Sequence, residues 1–295
     1  MGPGLSSLGS AACVSRRGIG SGGARRYCRI SGGSQPQPLI PLTIRFYARS
    51  HFIYRLFRLL FPRLEGVFYP QGLPSRKWFA YYCTQFNTLE LNATFYRMPE
   101  LKAFETWYTQ SPADFRFAVK APRQVTHYKK FNAEAQLILA DFYGTVTEGL
   151  RDKLGPVLFQ LPPKAAYTEK LLERLLDSLD PTFQNVVEFR HPSWWDGPVQ
   201  RLLAKHGIAF VGQSYPPPLE LPDEVVANTS TVYYRFHGVP ELYKSSYNPE
   251  FLARIAAEIT AAENVREAYL FFNNGIGAVG VENARQMQRL LQAGH

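Results

Sequence analysis

Val186-Val187-Glu188-Phe189-Arg190 and Val232-Tyr233-Tyr234-Arg235-Phe236-His237 are short apolar runs that each end in charged or titratable residues spaced two apart. Buried strands read as near-continuous apolar, β-branched and aromatic runs, because both of their faces are covered. Residues two apart on a strand share a face. Glu188-x-Arg190 and Arg235-x-His237 therefore each point one way at the carboxyl end of a strand. The pattern recurs as Glu90-x-Asn92, with Lys120 closing a second apolar run, Gln160 in the next and Asn273 closing the last. Charged side chains within apolar strands are costly to bury unless paired. Their recurrence at one end of several strands points to a polar pocket there.

Outward from these runs, the expected strands are Thr88–Asn92, Phe115–Ala121, Val157–Leu161, Val186–Arg190, Ile208–Gln213, Val232–His237 and Tyr269–Asn273. Between them Glu169–Ser178, Val199–His206, Phe251–Ala262 and Glu282–Leu291 carry apolar residues three and four apart, the period of a helix with one buried face. Pro99-Glu100 marks a further helix start. Strands alternating with helices imply parallel βαβ units. The predicted fold is α/β, a (β/α)8 TIM-type barrel over residues 42–295, with seven clear strands and Leu42–Tyr47 standing in as the eighth. An open or doubly wound sheet is the alternative, although no Gly-x-Gly-x-x-Gly turn or phosphate-binding loop supports a nucleotide fold. In such a barrel the functional groups sit at the carboxyl ends of the strands.

The chain's 295 residues accommodate one such domain and an extension, since the barrel alone takes about 250 residues. No apolar run approaches the roughly 20 residues of a membrane-spanning helix, so no membrane partner is expected. Cys13, Cys28 and Cys83 lack ligand or redox spacing, which suggests a reducing compartment. The net charge of +9 resides entirely in residues 1–65, which hold ten Arg, no Lys and the single acid Glu65. The remaining residues carry 23 basic and 23 acidic side chains. A basic footprint for nucleic acid must lie on the folded domain, and this domain is neutral, so nucleic acid is not supported as a partner.

Residues 1–41 are expected to form a disordered leader, being rich in Gly, Ser and Arg through residue 38 and without a hydrophobic period. An acid-free, Arg- and Ser-rich leader has the character of a mitochondrial transit peptide; translated sequence upstream of a misplaced start is the equal alternative. The expected location is cytoplasmic, or mitochondrial if the leader is a transit peptide. The stretch 42–65 stays ambiguous, and the apolar residues of His51–Pro62 crowd every side of a helix.

Phe86-Asn-Thr-Leu-Glu-Leu-Asn-Ala-Thr-Phe-Tyr-Arg97, Val187-Glu-Phe-Arg-His-Pro-Ser-Trp194, Tyr234-Arg-Phe-His-Gly238 and Phe272-Asn-Asn274 follow one another in an order that resembles the YecE-like family, also called domain of unknown function 72. Phe117-Ala-Val-Lys-Ala-Pro122 fits as well. The resemblance runs from Gly66 to Leu291, and it implies a barrel fold with no established activity. Two departures stand out. The family's opening strand and its Gly-rich aromatic turn are missing before Gly66-Val-Phe-Tyr-Pro70, and Gln213-Ser214 stands where an Asp-Ser pair is usual. Reading Arg55–Gly66 one base later gives, with permitted third bases, Gly-Ser-Ser-Gly-Phe-Ser-Phe-Pro-Ala-Trp-Arg-Gly, so a frameshift across this stretch is one expectation.

The candidate catalytic residues are Glu90, Glu188 and His237, and the candidate substrate-binding residues are Asn92, Tyr96, Lys120, Arg190, Trp194, Arg235 and Asn273. Guanidinium forks match the oxygens of phosphate and carboxylate. Glu90 or Glu188 would serve as general base and His237 as general acid or proton shuttle. The expected function is acid–base chemistry on a small phosphorylated or carboxylated substrate, with no cofactor and no metal. The plain structural reading is an ion-pair network that plugs the barrel. Trp195 is a further candidate for the pocket wall, although packing is the commoner role of such aromatics. His127 stands between solvent and site, and His191 either braces the turn before Pro192 or touches a ligand. Three other functions stay open. One is a metal-dependent nucleic-acid enzyme of the endonuclease IV type, with Glu90, Glu188 and His237 as a mononuclear site. The second is a glycosidase with Glu90 and Glu188 on opposite walls. The third is a non-catalytic binding or regulatory module.

Overall fold

The computed structural model describes residues 43–48 and 64–293, the first stretch by its backbone alone. These residues belong to the unit Ile40–His295. The expected leader, the run His51–Pro62 and Arg55–Arg63 of the frameshift stretch lie outside the described residues.

In chain order the elements are β1 (Thr43–Ala48), α1 (Trp78–Gln85), β2 (Thr88–Leu91), α2 (Ala93–Tyr96), α3 (Leu101–Gln110), β3 (Arg116–Lys120), α4 (Ala135–Leu150), β4 (Leu154–Gln160), α5 (Glu169–Ser178), β5 (Asn185–Glu188), α6 (Gly197–Lys205), β6 (Ala209–Phe210), β7 (Gly212–Ser214), β8 (Thr231–Phe236), α7 (Pro249–Ala261), β9 (Glu267–Phe272) and α8 (Val279–Ala293). Two of the helices, α5 and α7, begin at side-chain caps. Thr168 accepts a hydrogen bond from Leu171 N at 3.2 Å, and Asn248 accepts one from Phe251 N at 2.7 Å with Pro249 opening α7. Both helices turn an apolar stripe inward, Leu171, Leu172 and Leu175 on α5 and Leu252, Ile255 and Ile259 on α7. Each such side chain contributes about 2 kcal/mol by leaving water. α5 stops as the chain nears Asp180-Pro181, because the residue before proline is pushed out of the helical region.

All strand pairs are parallel, in one sheet of order β2-β3-β4-β5-β6 and a second of order β1-β9-β8-β7. The single closed ladder expected of a (β/α)8 barrel is thus divided into sheets of five and four strands. The division falls inside the expected strand Ile208–Gln213. β6 and β7 flank Val211, whose N–H donates to Val187 O at 2.9 Å, so the run leaves β5 and joins β8 within a few residues. Gly212 permits this crossing, since a Cβ there would come within 2.7 Å of Glu224 O and of the Tyr234 ring. β1 pairs with β9 from Thr43↔Glu267 to Ala48↔Phe272, one residue along from the expected Leu42–Tyr47. Among the described residues no hydrogen-bonded ladder joins β1 to β2.

The parallel register stacks side chains in rows. Gln213, Arg235 and Phe271 are register partners across β7, β8 and β9. Two residues further on, Tyr215, His237 and Asn273 form the next row, where His237 N donates to Ser214 O at 3.1 Å and Asn273 N to Phe236 O at 2.6 Å. No helix among the described residues is long and apolar enough to cross a membrane.

Candidate functional site

Arg235, 1% exposed, is the hub of the polar residues at the strand ends. Its Nε and Nη2 donate to Glu90 Oε2 and Oε1 at 2.9 and 2.8 Å, and its Nη1 donates to Glu188 Oε2. Glu188 Oε1 accepts in turn from Arg190 Nε at 2.6 Å. Carboxylate and guanidinium thus alternate from β2 through β8 to β5 and the turn after it. Glu90 also accepts from Tyr233 Oη at 2.7 Å and from Asn92 Nδ2 at 2.6 Å, which gives its two oxygens four donors. Burial works against the Glu188 charge, but Arg190 and Arg235 outweigh it and hold the carboxyl well below the usual carboxylate range. The same pairing keeps both guanidinium groups charged.

His237, 1% exposed, lies two residues beyond Arg235 on the same face. Its Nε2 is 3.6 Å from Glu188 Oε1, beyond hydrogen-bond range, and neither ring nitrogen has a hydrogen-bond partner among the described residues. Burial drives its pKa down to about 3 against the pull of Glu188, so the imidazole is neutral at pH 7. Tyr215 lies 5.0 Å away, ring to ring. Asn273, beside His237 in the row, is fully buried, and neither its Oδ1 nor its Nδ2 has a partner among the described residues.

A cationic wall faces these groups. Lys120 Nζ donates to Gln160 Oε1 at 2.8 Å and lies 4.1 Å from the centre of the Phe95 ring. His127 sits on the π-helical turn Gln124–Lys129 and meets Phe95 edge-on at 5.0 Å. Burial, then Lys120 and Arg190, lower its pKa to about 4. Arg123 lies between the rings of Tyr96 and Tyr128, at 5.8 and 5.5 Å. Arg190 packs over the Tyr215 ring at 4.9 Å and is 11% exposed. With Nε on Glu188 and Nη1 at 3.5 Å from Tyr215 Oη, its Nη2 has no hydrogen-bond partner among the described residues.

The structure therefore brings Glu90, Asn92, Glu188, Arg190, Arg235 and His237 together, and sets Asn273 beside His237. Lys120 lies on the adjoining wall, and Tyr96 stands exposed at the rim. Trp194 is placed differently from the expected pocket wall. Its indole N–H donates to Ala165 O at 2.7 Å, its ring stacks on Phe189 at 4.2 Å, and it is fully buried beneath the loop. Trp195 likewise packs edge-on against Phe210. His191 braces its turn, with Nδ1 2.8 Å from Ser193 Oγ. The Gln213 amide, at the departure from the Asp-Ser pattern, donates to Phe189 O at 2.6 Å. Sequence reasoning passed over Tyr233 and Tyr215, which continue the alternation Tyr233-x-Arg235 and Gln213-x-Tyr215 and were therefore findable. Among the described residues no three His, Cys, Asp or Glu side chains converge as ligands, and the Arg235 guanidinium bonds to both Glu90 and Glu188. A depression of about 550 Å³, lined by Gln184, Thr229, Thr231 and Glu267 among others, opens at the opposite, amino-terminal ends of the strands.

Residues 61–295 match the profile of a family described as protein of unknown function DUF72. The UPF0759 protein YunF of Bacillus subtilis is 26% identical over 265 residues, which cover 76% of this chain and 89% of that protein. The UPF0759 protein YecE of Escherichia coli is 31% identical over 115 residues, 39% of this chain and 42% of that one. Among solved structures, a DUF72 family protein from Thermotoga maritima superposes with a TM-score of 0.74 at 28% identity, covering 85% of this chain and 99% of its own. A DUF72 family protein from Enterococcus faecalis, at 18% identity and a TM-score of 0.70 over 85% of this chain and 96% of its own, shares the fold.

Proposed function

The chain belongs to the DUF72 family, and for the pocket at its strand ends we propose a role in binding a small phosphorylated or carboxylated anion, with His237 as the acid–base group. Arg190 carries this reading. Its Nε is fastened to an ionised carboxylate and its plane rests on Tyr215, so the fork is pre-oriented, and among the described residues Nη2 makes no hydrogen bond. Such a fork suits an oxyanion, and little rotamer freedom is lost when one binds. Lys120 and Arg123 add positive charge on the same side. In this reading the two sheets form one eight-stranded ring, with β6 and β7 as a single strand and the seam between β1 and β2. The ligand is the partner, and the cytoplasm is the location.

The carboxylates take roles other than general base. Glu90 has four donors on two oxygens, so it positions Arg235. Glu188, held ionised, orients Arg190 and stands ready to stabilise an imidazolium on His237, 3.6 Å away. A glycosidase is disfavoured, because its acid must keep its proton near neutral pH. The occupied carboxylates favour one second reading, a binding module without turnover.

Thermal unfolding of the full chain against a panel of phosphorylated and carboxylated compounds tests the proposal. At least one should stabilise the native protein, and Arg190→Ala should remove that stabilisation. A panel in which no anion raises the midpoint would sink the reading.

A further inference from the structure

His237 and Asn273 occupy neighbouring places in one row, across the carboxyl ends of β8 and β9. Both are at least 99% buried; among the described residues His237 Nδ1, Asn273 Oδ1 and Asn273 Nδ2 make no hydrogen bond, and His237 Nε2 has only the 3.6 Å contact with Glu188 Oε1. Gln213 Oε1, one row below, is unpartnered as well. Buried polar side chains are nearly always hydrogen-bonded, and each one left over costs the desolvation of its group. A fully buried amide and imidazole side by side, without a hydrogen-bond partner among the described residues, therefore mark a place where bonds are made to something else. Packing offers no substitute explanation, since an apolar residue of the same size would fill either position without that cost.

We infer that His237 and Asn273 form an uncharged subsite that receives hydroxyl groups, so that the ligand of this pocket is a polyhydroxylated anion such as a sugar or polyol phosphate or a sugar acid. The inference deepens the anion-binding reading and rests on it. Its basis is the inventory of donors and acceptors. The amide supplies two N–H donors and a carbonyl acceptor, and a neutral imidazole supplies one donor and one acceptor. A hydroxyl both gives and accepts, and so can satisfy this mixed set. A phosphate or carboxylate oxygen only accepts, and would leave Asn273 Oδ1 and the bare ring nitrogen facing like partial charge. An ammonium only donates, and would lie close to Arg190 and Arg235. The division of labour follows: the guanidinium fork of Arg190 takes the anionic end and the row of His237 and Asn273 takes the hydroxylated end.

A matched pair of probes tests the inference on the unaltered full chain. Glycerol 3-phosphate and n-propyl phosphate share charge and carbon count and differ by two hydroxyls. Calorimetric titration should show glycerol 3-phosphate binding at least about tenfold more tightly, because a site built to bond a hydroxyl rejects an analogue that lacks it. Asn273→Leu should abolish that ratio, and Arg190→Ala should weaken both probes. Equal affinities for the two phosphates would overturn the hydroxyl subsite alone, and would mean that the row does no more than hold a water molecule. Binding of neither probe would overturn the anion-binding reading with it. The comparison on the unaltered protein decides the matter even if Asn273→Leu does not fold.

Discussion

Glu90 and Arg235 are 145 residues apart in sequence and are joined by two parallel hydrogen bonds of 2.9 and 2.8 Å. The pair ties β2 of one sheet to β8 of the other, where no backbone ladder connects those strands. The same guanidinium reaches Glu188 on β5. Three strands thus depend on one buried cation, and the network acts as a strut at the strand ends.

Removing one member of such a network strands a buried charge. Arg235→Met should lower unfolding stability by about 3–5 kcal/mol, the usual cost of breaking a buried pair from one side. Arg235→Lys should recover little of that, because an ammonium cannot bridge two oxygens of Glu90 and still reach Glu188. Urea unfolding of both variants checks this; a loss near zero for Arg235→Met would show that the strut is idle.

Stability should fall in acid, with a defined sign. His237 has its pKa lowered from 6.5 to about 3 in the folded chain, and His127 from 6.5 to about 4. The unfolded chain therefore binds more protons than the native one between those values. The stability these two histidines contribute should be fully present above pH 6.5 and should decline as pH falls toward 4. Glu188, depressed below its ordinary 4.5, adds a further loss beneath that value. His237→Phe and His127→Phe together should flatten the decline between pH 6.5 and 4. Melting midpoints across that range read it directly.

Much of the strand-end chemistry was legible because it follows a period of two. Glu188-x-Arg190 and Arg235-x-His237 point the same way wherever the chain is a strand, and the strands declared themselves by apolar runs. Tyr233 obeys the same rule and was passed over because aromatics also fill cores. Trp194 shows the converse: a tryptophan after a strand end looks like a pocket wall, yet Ala165 O and Phe189 enclose it, and both partners are set by tertiary packing. His127 lies on a π-helical turn, which has no short apolar period to announce it. The division between the two sheets at Val211 was hidden as well, since Ile208–Gln213 reads as one unbroken strand.

Trp194→Phe separates packing from recognition. The change deletes the indole bond to Ala165 O and part of a fully buried ring. A loss of about 1–3 kcal/mol in unfolding free energy should follow. Anion binding should be unchanged, because the ring is fully enclosed by Phe189 and the Ala165 carbonyl. Weaker binding by the folded variant would return Trp194 to the site.

Arg190→Lys is the sharpest test of how the pocket holds an anion. Charge is conserved in this variant, so a pocket that works by electrostatic attraction alone should bind almost as before. The geometry here argues otherwise. Arg190 is held by Nε on Glu188 and by the Tyr215 ring, and only a planar fork can keep those contacts while its outer nitrogens face a ligand. A lysine would drop one charge-assisted bond to the ligand, worth about 1.5–3 kcal/mol, which is about a ten- to hundredfold loss of affinity. The ammonium would also turn toward Glu188, its nearest carboxylate, and away from the opening. Titration of inorganic phosphate into the wild type and Arg190→Lys, at two salt concentrations, distinguishes the cases. Loss of binding with little change in salt dependence means that the fork does the recognising; binding that survives and is salt-sensitive means that charge does.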